Sequence, residues 1–317
     1  MSEKSYPVEL AAPDISPYKA GNTGVDYVTT FDSGKPGPHA MVNAITHGNE
    51  ICGPIALEFL FKNEIRPTRG KLTLSFANHE AYLRFDPADP EATRFVDEDF
   101  NRLWTPDVLD GPRDSVELSR AREMRSTVDQ VDFLLDIHSM QHRTAPLSMA
   151  GPLPKGRELA GALGFPAHVV IDSGHAAGRR MRDYAGFSDP AGPKNAVLVE
   201  CGQHWEASSA EVAIESALRF LRHLDVIDPE FADAYISGEP LPPQKFIEVT
   251  AAVTIRTDRF AFADDYTGFE VIPAAGTVLA HDGDDAITTP YDDCVLIMPS
   301  MRLKPEQTAV RLGRYVA

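Results

Sequence analysis

Three cysteines in 317 residues are few, and Cys52, Cys201 and Cys294 stand too far apart to build a disulfide framework or a cysteine-rich zinc site. Basic charge is scarce as well. The net charge of −17 comes from 30 Lys and Arg against 47 Asp and Glu, split as 23 against 36 up to residue 240 and 7 against 11 beyond it. Neither part offers a surface for a phosphate backbone, which excludes nucleic acid as a partner. Long apolar runs are also missing. Residues 1–10 carry charges and Pro7 where a signal peptide needs an apolar core, and no later window approaches ~18 apolar residues. The expectation is a cytoplasmic protein, outside any membrane, with reduced and mostly buried thiols.

With 43% hydrophobic and 24% charged residues, the chain can bury one large core and a smaller one. Residues 1–38 are turn-rich, with a short strand expected at 27–31. Regular alternation follows: a buried strand over 40–46, a helix over 53–63 and a second strand over 71–78. Residues 79–113, with Pro87, Pro90, Pro106, Pro112 and many charges, read as a long loop laid over the sheet, and long loops are often functional. Residues 115–130 are helical by spacing with Ser115 as N-cap, and 131–137 form a strand that ends at His138. Helical spacing recurs over 155–164 and 208–224, and short apolar strands at 167–171 and 196–199. This alternation predicts an α/β sheet. A proline-rich break at 238–243 then gives way to short strands with turn signals, at 246–256, 269–272, 277–280, 294–298 and 308–314. The expected organisation is an α/β domain over 1–238, with a mostly parallel or mixed sheet, and a small all-β domain over 244–317.

The first candidate for chemistry is Thr46-His47-Gly48-Asn49-Glu50, at the turn between a strand and a helix. A His and a Glu three residues apart can point an imidazole and a carboxylate at one cation. Taken alone, the pair has a plain reading in which Glu50 caps the following helix. His138, at the carboxyl end of its strand, is by itself a hydrogen-bonded core residue, yet it would complete two imidazoles and a carboxylate, the set that leaves one zinc position open. Asp136 could hold the ligating ring in place or lie at the surface. Glu200 closes the run Ala196-Val-Leu-Val and is either a solvated strand terminus or a general base that takes a proton from water and delivers it to a leaving amine. In the long loop, Asn101 and Arg102 with Arg94 upstream suit a carboxylate or a developing oxyanion; without the other pieces they are surface residues. His142 and His204, close in sequence to His138 and Glu200, are expected to line the pocket, to support the ligands from behind or to lie at the surface, and His79 has no partner. Arg179, Arg180, Arg182 and Lys194 read as a solvated basic loop, with substrate contact as the alternative.

Together, Thr46-His47-Gly48-Asn49-Glu50, Asp99-Phe100-Asn101-Arg102, Asp136-Ile137-His138 and Val199-Glu200 resemble, in that order, the aspartoacylase and succinylglutamate desuccinylase branch of the zinc carboxypeptidase superfamily. The resemblance covers residues 38–225 by motif, with weaker support over 290–299, which looks like the branch's small C-terminal β domain. It implies a carboxypeptidase-like α/β/α fold and one zinc per chain, on His47, Glu50 and His138. It also implies that Asn101 and Arg102 bind the substrate α-carboxylate, that Arg94 polarises the scissile carbonyl and that Glu200 is the base. Two features depart from aspartoacylase. Pro190 stands ten residues before Glu200, where that enzyme has an arginine for an acidic side chain, and its substrate-binding tyrosine has no counterpart here. The implied function is deacylation of a small N-acylated amino acid with a neutral or basic side chain; a homo-oligomer is compatible with it. The rival readings are a metallocarboxypeptidase acting on peptide C-termini and, from another class, a metal-binding module without catalysis, which would not need Glu200. Fold analogy cannot choose the substrate.

Overall fold

His39-Ala-Met-Val-Asn-Ala44 forms a strand buried along its whole length, because its alternate residues meet two different layers. Ala40, Val42 and Ala44 pack into one apolar cluster and Met41 into another, as expected of a parallel strand covered on both faces. The computed structural model describes residues 6–174, 177–238 and 240–317, so Glu239 of the expected linker lies outside the described residues. The strands are β1 (Val28–Asp32), β2 (His39–Ala44), β3 (Lys71–Phe76), β4 (Phe133–Met140), β5 (Leu147–Met149), β6 (His168–Ile171), β7 (Asn195–Gln203), β8 (Lys245–Thr254), β9 (Phe260–Phe262), β10 (Val271–Ile272), β11 (Val278–Asp282), β12 (Asp285–Thr288), β13 (Cys294–Ile297) and β14 (Thr308–Val316). The helices are α1 (Cys52–Lys62), α2 (His79–Tyr82), α3 (Pro106–Leu109), α4 (Val116–Val128), α5 (Pro154–Leu163), α6 (Ala207–His223) and α7 (Pro229–Tyr235).

Eleven strands make one mixed sheet in the order β1-β3-β2-β4-β7-β5-β6-β8-β14-β13-β10, and β12-β11-β9 make a separate three-stranded antiparallel sheet. Its centre, β3-β2-β4-β7, is parallel, which brings the carboxyl ends of β2, β4 and β7 together at one edge, where sites assemble in such sheets. Residues of α1, α5 and α6 cover one face and those of α4 the other. The Ser115 hydroxyl caps α4 through Leu118 N at 3.0 Å, as the sequence predicts. No helix among the described residues is long and apolar enough to cross a membrane.

Three features differ from the sequence reading. First, β4 and β7 do not stop at His138 and Glu200. Both run on past them, with a register irregularity between His138 and Met140, because these polar side chains are buried inside the strands. Second, residues 79–113 hold two single-turn helices, α2 and α3, and two 3₁₀ turns at Pro90–Thr93 and Phe100–Arg102. Third, β8 pairs in parallel with β6 and antiparallel with β14, so backbone hydrogen bonds carry the main sheet across the proline-rich segment and into the C-terminal strands.

Candidate metal centre

After β2 the chain turns sharply. Ile45 adopts a left-handed backbone (φ 61°), and a Cβ on Gly48 would meet the carbonyl oxygen of Thr93 at 2.4 Å and Ala81 C at 2.5 Å. Only glycine allows the long loop to press this closely between His47 and Glu50. Gly48 N in turn donates to Arg94 O at 2.9 Å, which fixes the loop over the site.

His47, Glu50 and His138 are 4%, 2% and 2% exposed, and each offers a ligand atom within 4.8 Å of the others. Glu50 lies between the two rings, with Oε1 2.7 Å from His47 Nδ1 and Oε2 3.0 Å from His138 Nδ1. Its carboxylate is taken up by these contacts, by Ser139 N at 3.2 Å and by Arg94, while α1 has no side-chain cap. The helix-cap reading of Glu50 therefore falls. The outer nitrogens are held by carboxylates: His138 Nε2 by Asp136 Oδ2 at 2.9 Å and His47 Nε2 by Asp99 Oδ1 at 3.0 Å. Asp136 is itself fixed through Oδ1, which accepts from Asn43 Nδ2 at 2.8 Å and Thr46 Oγ1 at 2.9 Å. Two imidazoles converging through Nδ1 on one carboxylate, each backed by an acid on Nε2, are a donor set that fits a divalent cation.

The charges respond to this crowding. Burial would raise the Glu50 carboxyl, but the two histidines hold it well below the usual range. Burial would lower His138, but Asp136 and Glu50 raise it well above its usual value. Glu200 pairs with His138 across β4 and β7, so both side chains emerge on the same face. Burial pushes its carboxyl up to about 8, with Glu50 adding to the rise and His138, Arg94 and Arg311 opposing it, and its Oε2 is buried with no hydrogen-bond partner among the described residues.

The seven residues to which the family resemblance gives roles, His47, Glu50, Arg94, Asn101, Arg102, His138 and Glu200, line one cavity of about 630 Å³. Arg94 Nη2 lies 2.8 Å from His47 Nε2 and 3.2 Å from Asp99 Oδ2. Asn101 Oδ1 accepts from Met181 N at 2.9 Å, which leaves Nδ2 as the amide's remaining polar group. Arg102 donates to Asn101 O at 2.8 Å and stands 3.7 Å from Asp99. Its guanidinium is lowered to about 10 by burial and by Arg94, Arg311 and Arg180, against the pull of Asp99. His142 and His204 line the cavity as well.

Several residues had no assigned role. Glu117, fully buried in the first turn of α4, accepts from Val96 N, Asp97 N, Glu98 N and Asn78 Nδ2 at 2.6 to 3.2 Å and so pins the loop that carries Arg94 and Arg102. From sequence it reads as a carboxylate at a helix start. The solvated-loop reading of Arg179, Arg180 and Arg182 fails for the last two. Arg180 is 1% exposed and bonds Asp183 Oδ2 at 2.5 Å and Asp172 Oδ2 at 3.2 Å, and Arg182 pairs with Asp183 and with the carbonyls of Ala150 and Ala196. Arg311 from β14 reaches Asp172 Oδ2 at 3.1 Å. The three-residue spacing of Arg180 and Asp183 could have suggested their pairing; nothing local links Asp172 to Arg311.

Residues 36–224 match the succinylglutamate desuccinylase/aspartoacylase catalytic domain. The chain belongs to this family. The family's fold is also that of solved structures: a succinylglutamate desuccinylase/aspartoacylase from Rhodobacter sphaeroides (16% identity, 92% of this chain and 89% of that one, TM-score 0.63) and murine aminoacylase 3 (18%, 89% and 96%, TM-score 0.62). At such identities the likeness is one of fold. A curated relative from Rattus norvegicus, an N-acyl-aromatic-L-amino acid amidohydrolase (carboxylate-forming), is 30% identical over 121 residues. That match spans 35% of this chain and 36% of the relative.

Proposed function

We propose that this family member is a zinc-dependent amidohydrolase that splits a small N-acylated amino acid into a carboxylate and a free amine. The observation that carries the reading is the pairing of His138 with Glu200 across adjacent strands, which sets a buried carboxylate of raised pKa beside the His47, Glu50 and His138 donor set. Those three residues would hold one zinc. When bound, zinc lowers the pKa of water to roughly 7 and polarises a carbonyl.

Glu200 takes the proton of the attacking water and later delivers it to the amine nitrogen as the C–N bond breaks. Its unpartnered Oε2 is available for that proton. Arg94, held between Asp99 and Glu50, donates to the carbonyl oxygen as negative charge develops there. Arg102 and the Asn101 amide hold the substrate α-carboxylate. Behind them Arg180 and Arg311 also line the cavity, both paired with Asp172. The amino acid expected keeps a neutral or basic side chain, since Pro190 stands where aspartoacylase has its arginine for an acidic one.

A metallocarboxypeptidase is the weaker reading. Met298, Ser300, Arg302 and Arg311 line the cavity from the C-terminal part of the chain, and Arg302 pairs with Glu91 of the long loop. Such a wall favours a small amide over an extended peptide. Three free, buried thiols suit the reducing cytoplasm. The test is amine release by the zinc-loaded protein from a panel of N-acetyl, N-succinyl and longer N-acyl amino acids beside short peptides with free C-termini. The reading requires a kcat/KM for the best N-acyl amino acid far above that for any peptide, and comparable values would overturn it.

A further inference from the structure

Two sets of polar residues line the cavity, and Arg94 is electrostatically close to both. One holds Arg102, with Arg180 and Arg311 paired to Asp172 behind it, and suits an anion. The other is built around His204, which is 1% exposed. A backbone hydrogen bond sets the position of this residue just past β7, its N donating to Met140 O at 2.8 Å. The ring is held at one nitrogen only. Nδ1 lies 2.9 Å from Ser139 Oγ, in the residue that follows His138 and whose own N–H bonds Glu50. Nε2, the other polar atom of the ring, is buried and has no hydrogen-bond partner among the described residues, although the residue lines the cavity. Burial keeps the imidazole neutral, with a pKa lowered to about 3. The Ser139 hydroxyl can donate to Nδ1, and in that tautomer Nε2 carries the ring proton as an unused donor. The cation of this set, Arg302, is already paired with Glu91, so the set supplies a hydrogen-bond donor without spare positive charge.

If the α-carboxylate lies against the Arg102 set, the acyl group faces the His204 set. We propose that His204 Nε2 binds an uncharged oxygen carried by the acyl group beyond the scissile carbonyl, as in a hydroxy-, oxo- or carbamoyl-acyl amide. The inference rests on the N-acyl amino acid reading above and names the acyl class for it. A site with a buried donor rejects an analogue that lacks the acceptor, because the donor is then left unpaired.

The test compares chain-matched amides of one amino acid, 3-hydroxybutyryl, 3-oxobutyryl, butyryl and succinyl, on wild type, His204→Leu and His204→Gln, with metal content and circular dichroism of each protein. Wild type is expected to prefer the oxygenated acyl groups over butyryl by about tenfold or more in kcat/KM, mainly through KM. His204→Leu should bring that ratio to about one, whatever the overall rate, and His204→Gln, which keeps an N–H, should restore part of it. A wild type that does not distinguish hydroxybutyryl from butyryl, a preference for succinyl over both neutral oxygenated chains, or an unchanged ratio in His204→Leu would each overturn the proposal. The wild-type comparison decides even if the variants fail to fold. If no N-acyl amino acid turned over, the underlying reading would fail and this inference with it. Turnover without acyl discrimination would remove only the role of His204.

Discussion

Asp136 Oδ2 and His138 Nε2 lie 2.9 Å apart on the same face of β4, and Asp136 is oriented from its other oxygen by Asn43 and Thr46. This contact keeps the proton of the ring on Nε2 and leaves Nδ1, the nitrogen that faces Glu50, for a cation.

Asp136→Asn places an N–H against Nε2 if its oxygen keeps the bonds to Asn43 and Thr46. The ring must then lose its partner or move its proton to Nδ1. Metal affinity should fall about 10- to 100-fold with the fold intact, as read by competition with a chelator; wild-type affinity would contradict this role.

Metal uptake should release protons. His138 is raised well above its usual pKa and Glu200 is pushed up to about 8, so near pH 7 both hold protons in the ion-free site. The ligand must give its proton up on binding, and a nearby cation favours the ionised form of Glu200. Affinity should therefore rise with pH through this range and level off once both groups are deprotonated. Calorimetry in buffers of different ionisation enthalpy should show about one to two protons released at pH 7. A pH-independent affinity without proton release would count against the assignment.

The parts of the fold visible in the sequence were those specified by local rules. Ala40, Val42 and Ala44 alternate along β2, Ser115 precedes an amphipathic helix, and the motifs around His47, Asn101, His138 and Glu200 occur in family order. What was missed depends on burial and on distant partners. The apolar runs of β4 and β7 end at His138 and Glu200, which in sequence marks the end of a strand, yet both strands continue through these buried groups. β5 has three residues, too few to show a period. Asp172 meets Arg311 across 139 positions, a contact no window reveals. The linker reading was incomplete for the same reason: proline marked an interruption in the chain, while the β6–β8 pairing that spans it is non-local.

Glu117→Ala should loosen the loop that positions Arg94 and Arg102. It removes one buried carboxylate from three backbone amides and the Asn78 side chain, and unpaired buried donors cost about 1–3 kcal/mol each before relaxation. A net loss of about 3 kcal/mol and faster proteolysis near residues 94–98 are expected. Unchanged urea unfolding would show that the loop is held by other contacts.

Arg102→Ala should penalise substrates with a free α-carboxylate much more than the matching amides. A charge-assisted hydrogen bond is worth about 1.5–3 kcal/mol, or roughly 10- to 100-fold in kcat/KM. Equal losses for acids and amides would remove Arg102 from carboxylate binding.

The central claim, that Glu200 works as the base beside a cation on His47, Glu50 and His138, is tested most directly by measuring metal content and amine release together in Glu200→Gln. The residue is not a ligand, so the variant should bind one zinc per chain as wild type does. Turnover should fall by roughly 10²- to 10⁴-fold, the usual contribution of a general base. A fully zinc-loaded Glu200→Gln enzyme working at close to the wild-type rate would contradict the account.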